Sequence, residues 1–296
     1  MSYRDKFRVE LNVIKLLLFT IATSFVSFGQ EKNEDDILDS LLDDLFFNDK
    51  EFVDDILNSI NQYDYLYTTA TYNSNTYFAG RDSGLDQFSF IPQISYYSSS
   101  GFNATISSVY YENQSPNWDF VSLSAGYSNT IGKKKTVHYN IGYSKFFFND
   151  DFDSFNNSVD FIIGARTENS LFGVLFSGSY LFGTEQSVQL SSRIYGNIPL
   201  TRQSNFALKF KPQVSFLLAQ QAITLKNINS LMSITTEEFG LLNTQLNLPV
   251  SFTTSSWDFE LSWNLNLPSP LPNEKNLNST NFFALSIGYL LDLKKK

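Results

Sequence analysis

The sequence contains one histidine, His138, and this limits the nucleophilic chemistry that the chain can carry. A serine hydrolase needs a histidine that activates the serine and a third group that orients the imidazole ring. The segment around His138 alternates apolar and polar residues, so His138, Asn140 and Ser144 share one face. We interpret this face as a polar lining and predict that the protein is not an enzyme.

Acidic residues offer two further possibilities for chemistry. Asp258 and Glu260 point the same way in an alternating segment, where they could act as an acid–base pair on a sugar or balance the charges of interior Lys and Arg. The sequence favours the second role. The loop 149–153 has three carboxylates and could bind Ca²⁺, but it lacks the spacing and the glycine of an EF-hand loop. We therefore predict no metal site and no cofactor.

The chain has no cysteine, and this excludes several classes of site. Disulfide scaffolds, thiolate catalysis and cysteine-based zinc or iron–sulfur sites all require that residue. The sequence also lacks a glycine-rich phosphate-binding loop. Chemistry is therefore sparse, and function must be sought in the elements that the remaining residues build.

From residue 64 onward the hydropathy pattern has a period of two. In 257–267, for example, six apolar residues occupy one face and acidic or polar residues the other. The alternating segments are about 10–13 residues long, which exceeds ordinary strands and suits tilted crossings of a bilayer. We predict twelve strands, at 65–78, 86–97, 101–111, 118–130, 136–148, 155–167, 170–183, 187–199, 204–219, 239–253, 256–268 and 280–293.

The connections between these strands alternate between short and long. Tight links such as 98–101 and 131–135 alternate with longer ones such as 80–85 and 269–279. Aromatic residues account for 16% of the chain and charged residues for only 17%, and the aromatics concentrate near the strand ends. The fold predicted for 64–296 is therefore all-β: an antiparallel transmembrane β-barrel of about twelve strands.

Strand parity also predicts which charged residues point into the barrel. Among many Ser, Thr, Asn and Gln residues, charges of both signs share the polar face. These could line a narrow water-filled path, or form ion pairs that fill a closed interior. The candidate lumen-lining residues are Asp119, His138, Asp160, Arg166, Arg193, Lys209, Lys211, Asp258 and Glu260.

The first 29 residues have the features of a secretory signal peptide. A basic start precedes the apolar run 16–28, and small residues at 27 and 29 favour cleavage before Gln30. The apolar run has about 13 residues, fewer than the ~20 that a membrane-spanning helix needs. We therefore predict export of the mature chain.

Residues 30–63 form an acidic segment with helical periodicity, which we expect to be a short periplasmic extension. Residues 31–62 contain eleven acids and two bases. Their apolar face could dock a periplasmic or envelope protein or fold into the barrel as a plug, and the segment could equally be a solvated spacer. The candidate docking residues are Ile37, Leu41, Leu45, Phe52, Ile56 and Ile60.

The charge distribution argues against a nucleic-acid partner. The formal net charge of the chain is −9, and the eleven acids and two bases of 31–62 account for all of it. The rest of the chain offers no basic face to neutralise phosphates. The expected partners are instead outer-membrane lipid and, through 31–62, a protein of the envelope.

The sequence resembles outer-membrane β-barrels of Bacteroidota. The resemblance lies in the exported start, the Asn/Ser/Tyr/Phe-rich alternating strands and the tight basic turn 131–135. The resemblance covers 64–296 and implies the outer membrane of a Gram-negative bacterium. A mid-sized barrel with a polar, mixed-charge lumen predicts a passive channel or small-solute transporter. The alternative is a non-conducting structural or accessory barrel that docks an envelope assembly through its acidic helices.

Overall fold

The computed structural model describes residues 64–82, 86–113, 117–148, 154–203, 205–226, 233–271, 274 and 277–293. For 221–226 and 233–238 only the backbone is described. The predicted signal peptide 1–29, the acidic segment 30–63 with its six docking candidates, and the acidic loop 149–153 lie outside the described residues.

The described residues form fourteen β-strands. Their bounds are β1 Tyr65–Asn73, β2 Ser89–Tyr97, β3 Phe102–Tyr111, β4 Trp118–Ile131, β5 Val137–Phe148, β6 Asn157–Arg166, β7 Phe172–Phe182, β8 Gln186–Gly196, β9 Ile198–Arg202, β10 Phe206–Phe210, β11 Gln213–Lys226, β12 Ser233–Thr254, β13 Trp257–Pro268 and β14 Thr280–Asp292.

These strands make one closed antiparallel barrel of twelve spans. Neighbouring spans pair in chain order, and β1 pairs with β14 from Tyr65 opposite Asp292 to Asn73 opposite Ala284. Strands β8 and β9 follow one another in a single span, as do β10 and β11, so the predicted count of twelve is confirmed. Closure gives each of the twelve spans a partner on both sides.

The two divided spans break at the same level of the wall. Pro212 has no N–H to donate, and its carbonyl instead accepts a hydrogen bond from Gly196 N at 2.8 Å. On one side of this break β11 pairs with β8, and on the other β10 pairs with β9 and β12. Strand β9 pairs only with β10, so this hairpin extends past the end of β7.

The two rims of the barrel differ in their connections. One rim carries the chain ends of the barrel and the short links between β2 and β3, β4 and β5, β6 and β7, β9 and β10, and β12 and β13. The other rim carries the longer segments 74–88, 112–117, 149–156 and 269–279. In outer-membrane barrels the short turns face the periplasm, so we name the two ends inner and outer.

Three strand bounds at the outer end differ from the prediction by five residues or more. Strand β1 ends at Asn73 rather than at residue 78, because the chain there turns into the barrel mouth. Strands β11 and β12 continue beyond the predicted 219 and 239, pairing from Gln220 opposite Phe239 to Lys226 opposite Ser233. Neither neighbouring strand pairs with this extension, so it projects outward as a hairpin.

The barrel is apolar outside and polar inside. Large side chains such as Phe176 and Leu261 point outward and are each 57% exposed, whereas serines and amides of the same strands are buried inside. The exposed apolar surface covers the wall, as in a protein whose solvent is lipid. The described residues contain no helix that is long and apolar enough to cross a membrane.

Aromatic side chains cluster on the outer surface near both rims. At the outer end, the rings of Tyr72, Phe88, Tyr110 and Trp118 follow one another, with centroid separations of 5.5, 6.1 and 5.4 Å. At the inner end, the rings of Trp257 and Tyr289 are 4.8 Å apart. Amphipathic rings at these two levels are typical of the aromatic girdles of membrane barrels.

Candidate functional site: the barrel lumen

The outer mouth of the lumen is filled by an apolar cluster. Its members come from seven strands around the barrel and from the connections 74–88 and 149–156, and all are buried. We call them the mouth cluster: Phe78, Ala79, Ile91, Val109, Tyr111, Phe120, Phe146, Phe155, Leu181, Leu217, Ala219 and Leu242.

One loop at the outer rim reaches into this cluster. The loop 74–88, which we call the mouth loop, makes a two-residue turn at Ala79 and Gly80, with Phe78 and Arg81 exchanging backbone hydrogen bonds of 3.1 and 2.8 Å. Both central residues have positive φ, 48° at Ala79 and 79° at Gly80. Alanine is strained in this region, and the surrounding contacts hold it there.

The tip of the mouth loop is fastened to the far wall. The carbonyl of Gly80 accepts a hydrogen bond from Thr280 Oγ1 at 3.0 Å, and a Cβ at Gly80 would overlap the side chain of Asn243. Only glycine fits this approach. Phe78 packs edge-on against Tyr111, with ring centroids 6.2 Å apart. The loop therefore crosses the mouth and rests on β3, β12 and β14.

An ion pair links the mouth loop to the connection between β13 and β14. Arg81 donates from Nε and Nη2 to the two carboxylate oxygens of Glu274, at 2.8 and 2.9 Å. Nη2 also donates to the carbonyl of Ser269 at 3.0 Å. The arginine side chain is 12% exposed and that of Glu274 29%, so the pair is partly shielded from solvent. Two parallel hydrogen bonds make this pair geometrically specific.

The same contacts set the acidity of Glu274. Burial raises the pKa of this carboxyl, but hydrogen bonds from Arg81 and from the Leu271 N–H, together with the charge of Arg81, outweigh burial. The net effect holds the pKa of Glu274 below its ordinary value. Glu274 is therefore ionised at neutral pH, and the pair is intact there.

Below the mouth cluster the lumen is lined by hydroxyls and amides. Asp160 accepts hydrogen bonds from Ser144, Ser158 and Ser179, at 3.0, 2.9 and 2.5 Å, so β5, β6 and β7 converge on one carboxylate. Ser124 on β4 extends the network by donating to Ser144 at 2.8 Å. Carboxylates and hydroxyls paired in this way meet the requirement that buried polar groups be hydrogen-bonded.

A second network lies on the opposite wall. Asn266 accepts from Asn243 and Gln245, each at 3.0 Å, and donates to Thr280 at 3.1 Å. Because Thr280 also holds Gly80, this network supports the tip of the mouth loop. Gln189, which is fully buried on β8, has no hydrogen bond to its side-chain amide among the described residues.

Charged side chains concentrate in the inner half of the lumen, which we call the inner zone. It contains Arg166, Arg193, Lys209 and Lys211 on β6, β8 and β10 and the connection that follows β10, against Asp258 and Glu260 on β13. Lys211 Nζ lies 4.0 Å from Glu260 Oε2. Among the described residues of this zone, four cations therefore accompany two carboxylates, an excess of two positive charges.

The nine predicted lumen residues occupy different levels of the barrel. Arg166, Lys209 and Glu260 are partly exposed, and the other six are buried. Asp119 lies near the outer end, in a bulge where Asp119 and Phe120 together oppose Val109. Asp160 belongs to the hydroxyl network, while His138 and the remaining six lie in the inner half.

His138 is packed against the wall at the inner end of the barrel. It lies two residues into β5 at the inner end, and a Cβ at Gly164 on β6 would overlap its imidazole ring. Ser144, the serine that shares its face, instead donates to Asp160. Among the described residues there is no cluster of three or more acidic or histidine side chains able to hold a metal ion.

The sequence patterns do not indicate Arg81 and Glu274, although this ion pair fastens the mouth loop. Both lie in connections, where no periodicity indicates which residues meet. The one available signal is the Ala–Gly dipeptide before Arg81, because glycine favours a turn. Arg81 and Glu274 are separated by 193 positions in the sequence, so they meet only when the barrel closes.

No protein-family model matches the sequence, and no curated protein sequence is similar to it. Among solved structures, the chain is similar to the KdgM porin, with 10% identity, 76% of this chain and 97% of that chain covered, and a TM-score of 0.43. The NanC porin has 9% identity, coverage of 76% and 98%, and a TM-score of 0.45.

An outer membrane channel from Pseudomonas putida F1 has 8% identity, coverage of 77% and 96%, and a TM-score of 0.45. LpxR from Salmonella typhimurium has 10% identity, coverage of 76% and 99%, and a TM-score of 0.43. Such distant similarities do not decide what this chain does, and its function must follow from its own residues.

Proposed function

We propose that this protein is a non-enzymatic outer-membrane channel of a Gram-negative bacterium, which passes small polar solutes and is closed at its outer mouth in this structure. The apolar exterior suits lipid, and a closed barrel satisfies every backbone group of the wall without water. Twelve spans lie between barrels that side chains fill completely and wide porins.

The observation that carries this proposal is the kind of residue that closes the outer mouth and the kind that lines the lumen below it. Below it the lumen is lined by hydroxyl, amide and charged groups, which can replace the water around a polar solute. The closure itself is made by Phe78 and Ala79 at the tip of a loop, not by the wall alone. Withdrawal of that loop would remove two members of the mouth cluster and leave all twelve spans paired.

Two features suit the mouth loop to movement. Ala79 is held at a φ of 48°, a conformation that costs an L-residue roughly 1–2 kcal/mol. The ion pair between Arg81 and Glu274 offsets that cost in the closed position. Breaking the pair is therefore expected to shift the loop toward an open position.

The test is single-channel conductance in a planar bilayer with Arg81→Ala beside the unaltered protein. Losing roughly 1 kcal/mol of a partly exposed ion pair shifts the ratio of open to closed time by about fivefold. The matched control is Lys134→Ala, which removes the exposed ion pair of Lys134 and Glu168 at an inner turn and should change nothing.

Silence of both variants, each also recorded without residues 31–62 and with a folded barrel confirmed by heat-modifiable gel migration, would overturn the proposal. The non-conducting accessory barrel would then be the better hypothesis. Equal openings in all three proteins would retain the channel but exclude the mouth loop as its closure.

A further inference from the structure

The inner end of the barrel has an excess of basic residues, which lie both in the lumen and on the inner turns. Among the described residues, the inner zone and the inner turns together contain eight Lys and Arg against five Asp and Glu. The bases are Lys133, Lys134, Lys135, Arg166, Arg193, Arg202, Lys209 and Lys211, and the acids are Asp64, Glu168, Asp258, Glu260 and Asp292. Eight minus five leaves three positive charges at this end.

The chain enters the barrel at the same place. The carbonyl of Asp64 accepts a hydrogen bond from Leu293 N at 2.9 Å, and its Oδ1 accepts from the backbone N and the Oγ of Ser99, both at 2.9 Å. These bonds fix the start of β1 to the inner rim. Residues 31–62, with eleven acids and two bases, are therefore tethered directly beside the basic end.

We propose that the acidic segment 31–62 docks into the inner zone of its own barrel. A net charge of −9 on the segment faces a net positive inner end, and the tether raises the local concentration of the segment to the millimolar range.

Other occupants fit these observations less well. A separate anionic partner would compete with a segment of net charge −9 that is tethered in place. A lipid surface is a poor site for the segment, because anionic headgroups repel it. The inference uses the inner end of the barrel and requires no conduction, so it stands or falls separately from the proposed channel.

The absence of cysteine from the chain allows a direct test by disulfide formation. Ser40→Cys places a thiol in the segment without changing its charge. Thr130→Cys places the second thiol on the lumen face of β4, opposite His138, while Asn129→Cys places it on the adjacent, outward-facing residue. The predicted mature chain, 30–296, is folded into phosphatidylcholine vesicles and oxidised at 0.1 M salt.

Docking predicts a disulfide yield about tenfold higher with Thr130→Cys than with Asn129→Cys. Raising the salt to 1 M shortens the Debye length from about 10 to 3 Å and should bring the two yields together. Replacing five aspartates of the segment with asparagine should also bring the two yields together at 0.1 M salt, without altering the barrel. Those positions are Asp35, Asp36, Asp39, Asp43 and Asp44.

Equal yields from the two positions at low salt would overturn the inference, because a free tether reaches both. A preference that survives both high salt and the five substitutions would also overturn it, since charge would not be the cause. Ser59→Cys, in the second half of the segment, repeats the comparison from a shorter tether. It guards against a failure specific to position 40.

Discussion

Asp160 shows how a single side chain can organise three strands. Its two carboxylate oxygens accept hydrogen bonds from Ser144, Ser158 and Ser179, which belong to three consecutive spans. Each hydroxyl is buried, so it has no alternative partner in water once the carboxylate is removed. The carboxylate therefore contributes more to the wall than any one of the serines.

Asp160→Ala is expected to lower the free energy of unfolding by about 1–3 kcal/mol, because it leaves three donors without their acceptor. Ser177→Ala is the control, since Ser177 makes a simpler pair with Ser191 at 2.6 Å and its loss should cost about 0.5–1.5 kcal/mol. Urea unfolding in lipid vesicles measures both. A cost for Asp160→Ala no larger than the control's would show that the convergence of three serines adds nothing.

The ionisation state of Glu274 should make the closure of the outer mouth depend on pH. Its pKa is lowered in the folded protein, so the ion pair contributes fully above the ordinary glutamate pKa of about 4.3 and is lost as pH falls through the lower folded value. We expect the open fraction to stay constant from pH 8 to pH 5 and to rise below about pH 4. Conductance recorded across this range measures it.

The matched pair for this titration is Glu274→Gln and Glu168→Gln. Glutamine at 274 cannot titrate, so the acid-induced rise should disappear from that variant. Glu168 lies in an exposed pair at an inner turn, and its variant should keep the rise. If the rise persists in Glu274→Gln, another group controls the opening.

At the scale of elements, alternation alone predicted all twelve spans, because each must present one face to lipid and the other to the lumen. It could not predict that β1 stops at Asn73. Residues up to 78 continue the alternating pattern, and only contacts with Tyr111, Asn243 and Thr280 turn them inward. Such contacts lie far apart in the sequence and have no local signature.

The break within two spans has a similar origin. A strand was predicted over 204–219, and in the structure it divides at Pro212, where the missing donor ends the ladder. The proline is visible in the sequence, but the shift of partner from β9 to β8 depends on the neighbouring strands. Candidate lumen residues were therefore easier to derive from the sequence than the levels they occupy.

At the scale of the whole molecule, the charges are polarised along the barrel axis. Among the residues that the structure describes, the inner end has eight bases against five acids, whereas the mouth loop and its ion-pair partner include Asp82, Asp86 and Glu274 against Arg81. The acidic segment 31–62 joins the barrel at its basic end, so the charges of the two are complementary. The formal net charge of −9 is therefore that of 31–62, and the charges of the rest of the chain cancel.

Because the exterior of the barrel is apolar, the cost of a charged substitution there should depend on its depth in the membrane. Leu261 points outward near the middle of β13 and is 57% exposed, whereas Ile131 is 52% exposed at the inner end of β4. In water, arginine at either position would cost little, because both are surface sites. In a bilayer the cost depends on depth, about 2–4 kcal/mol at the midplane and 0–1 near the interface.

Leu261→Arg is therefore expected to reduce the free energy of unfolding in lipid vesicles by about 2–4 kcal/mol, and Ile131→Arg by less than about 1 kcal/mol. Their nearly equal exposure isolates depth as the variable. Urea unfolding followed by heat-modifiable gel migration measures both in one preparation. Equal costs would mean that the apolar band does not lie across a hydrocarbon core, and the membrane orientation on which the inner and outer ends are named would have to be abandoned.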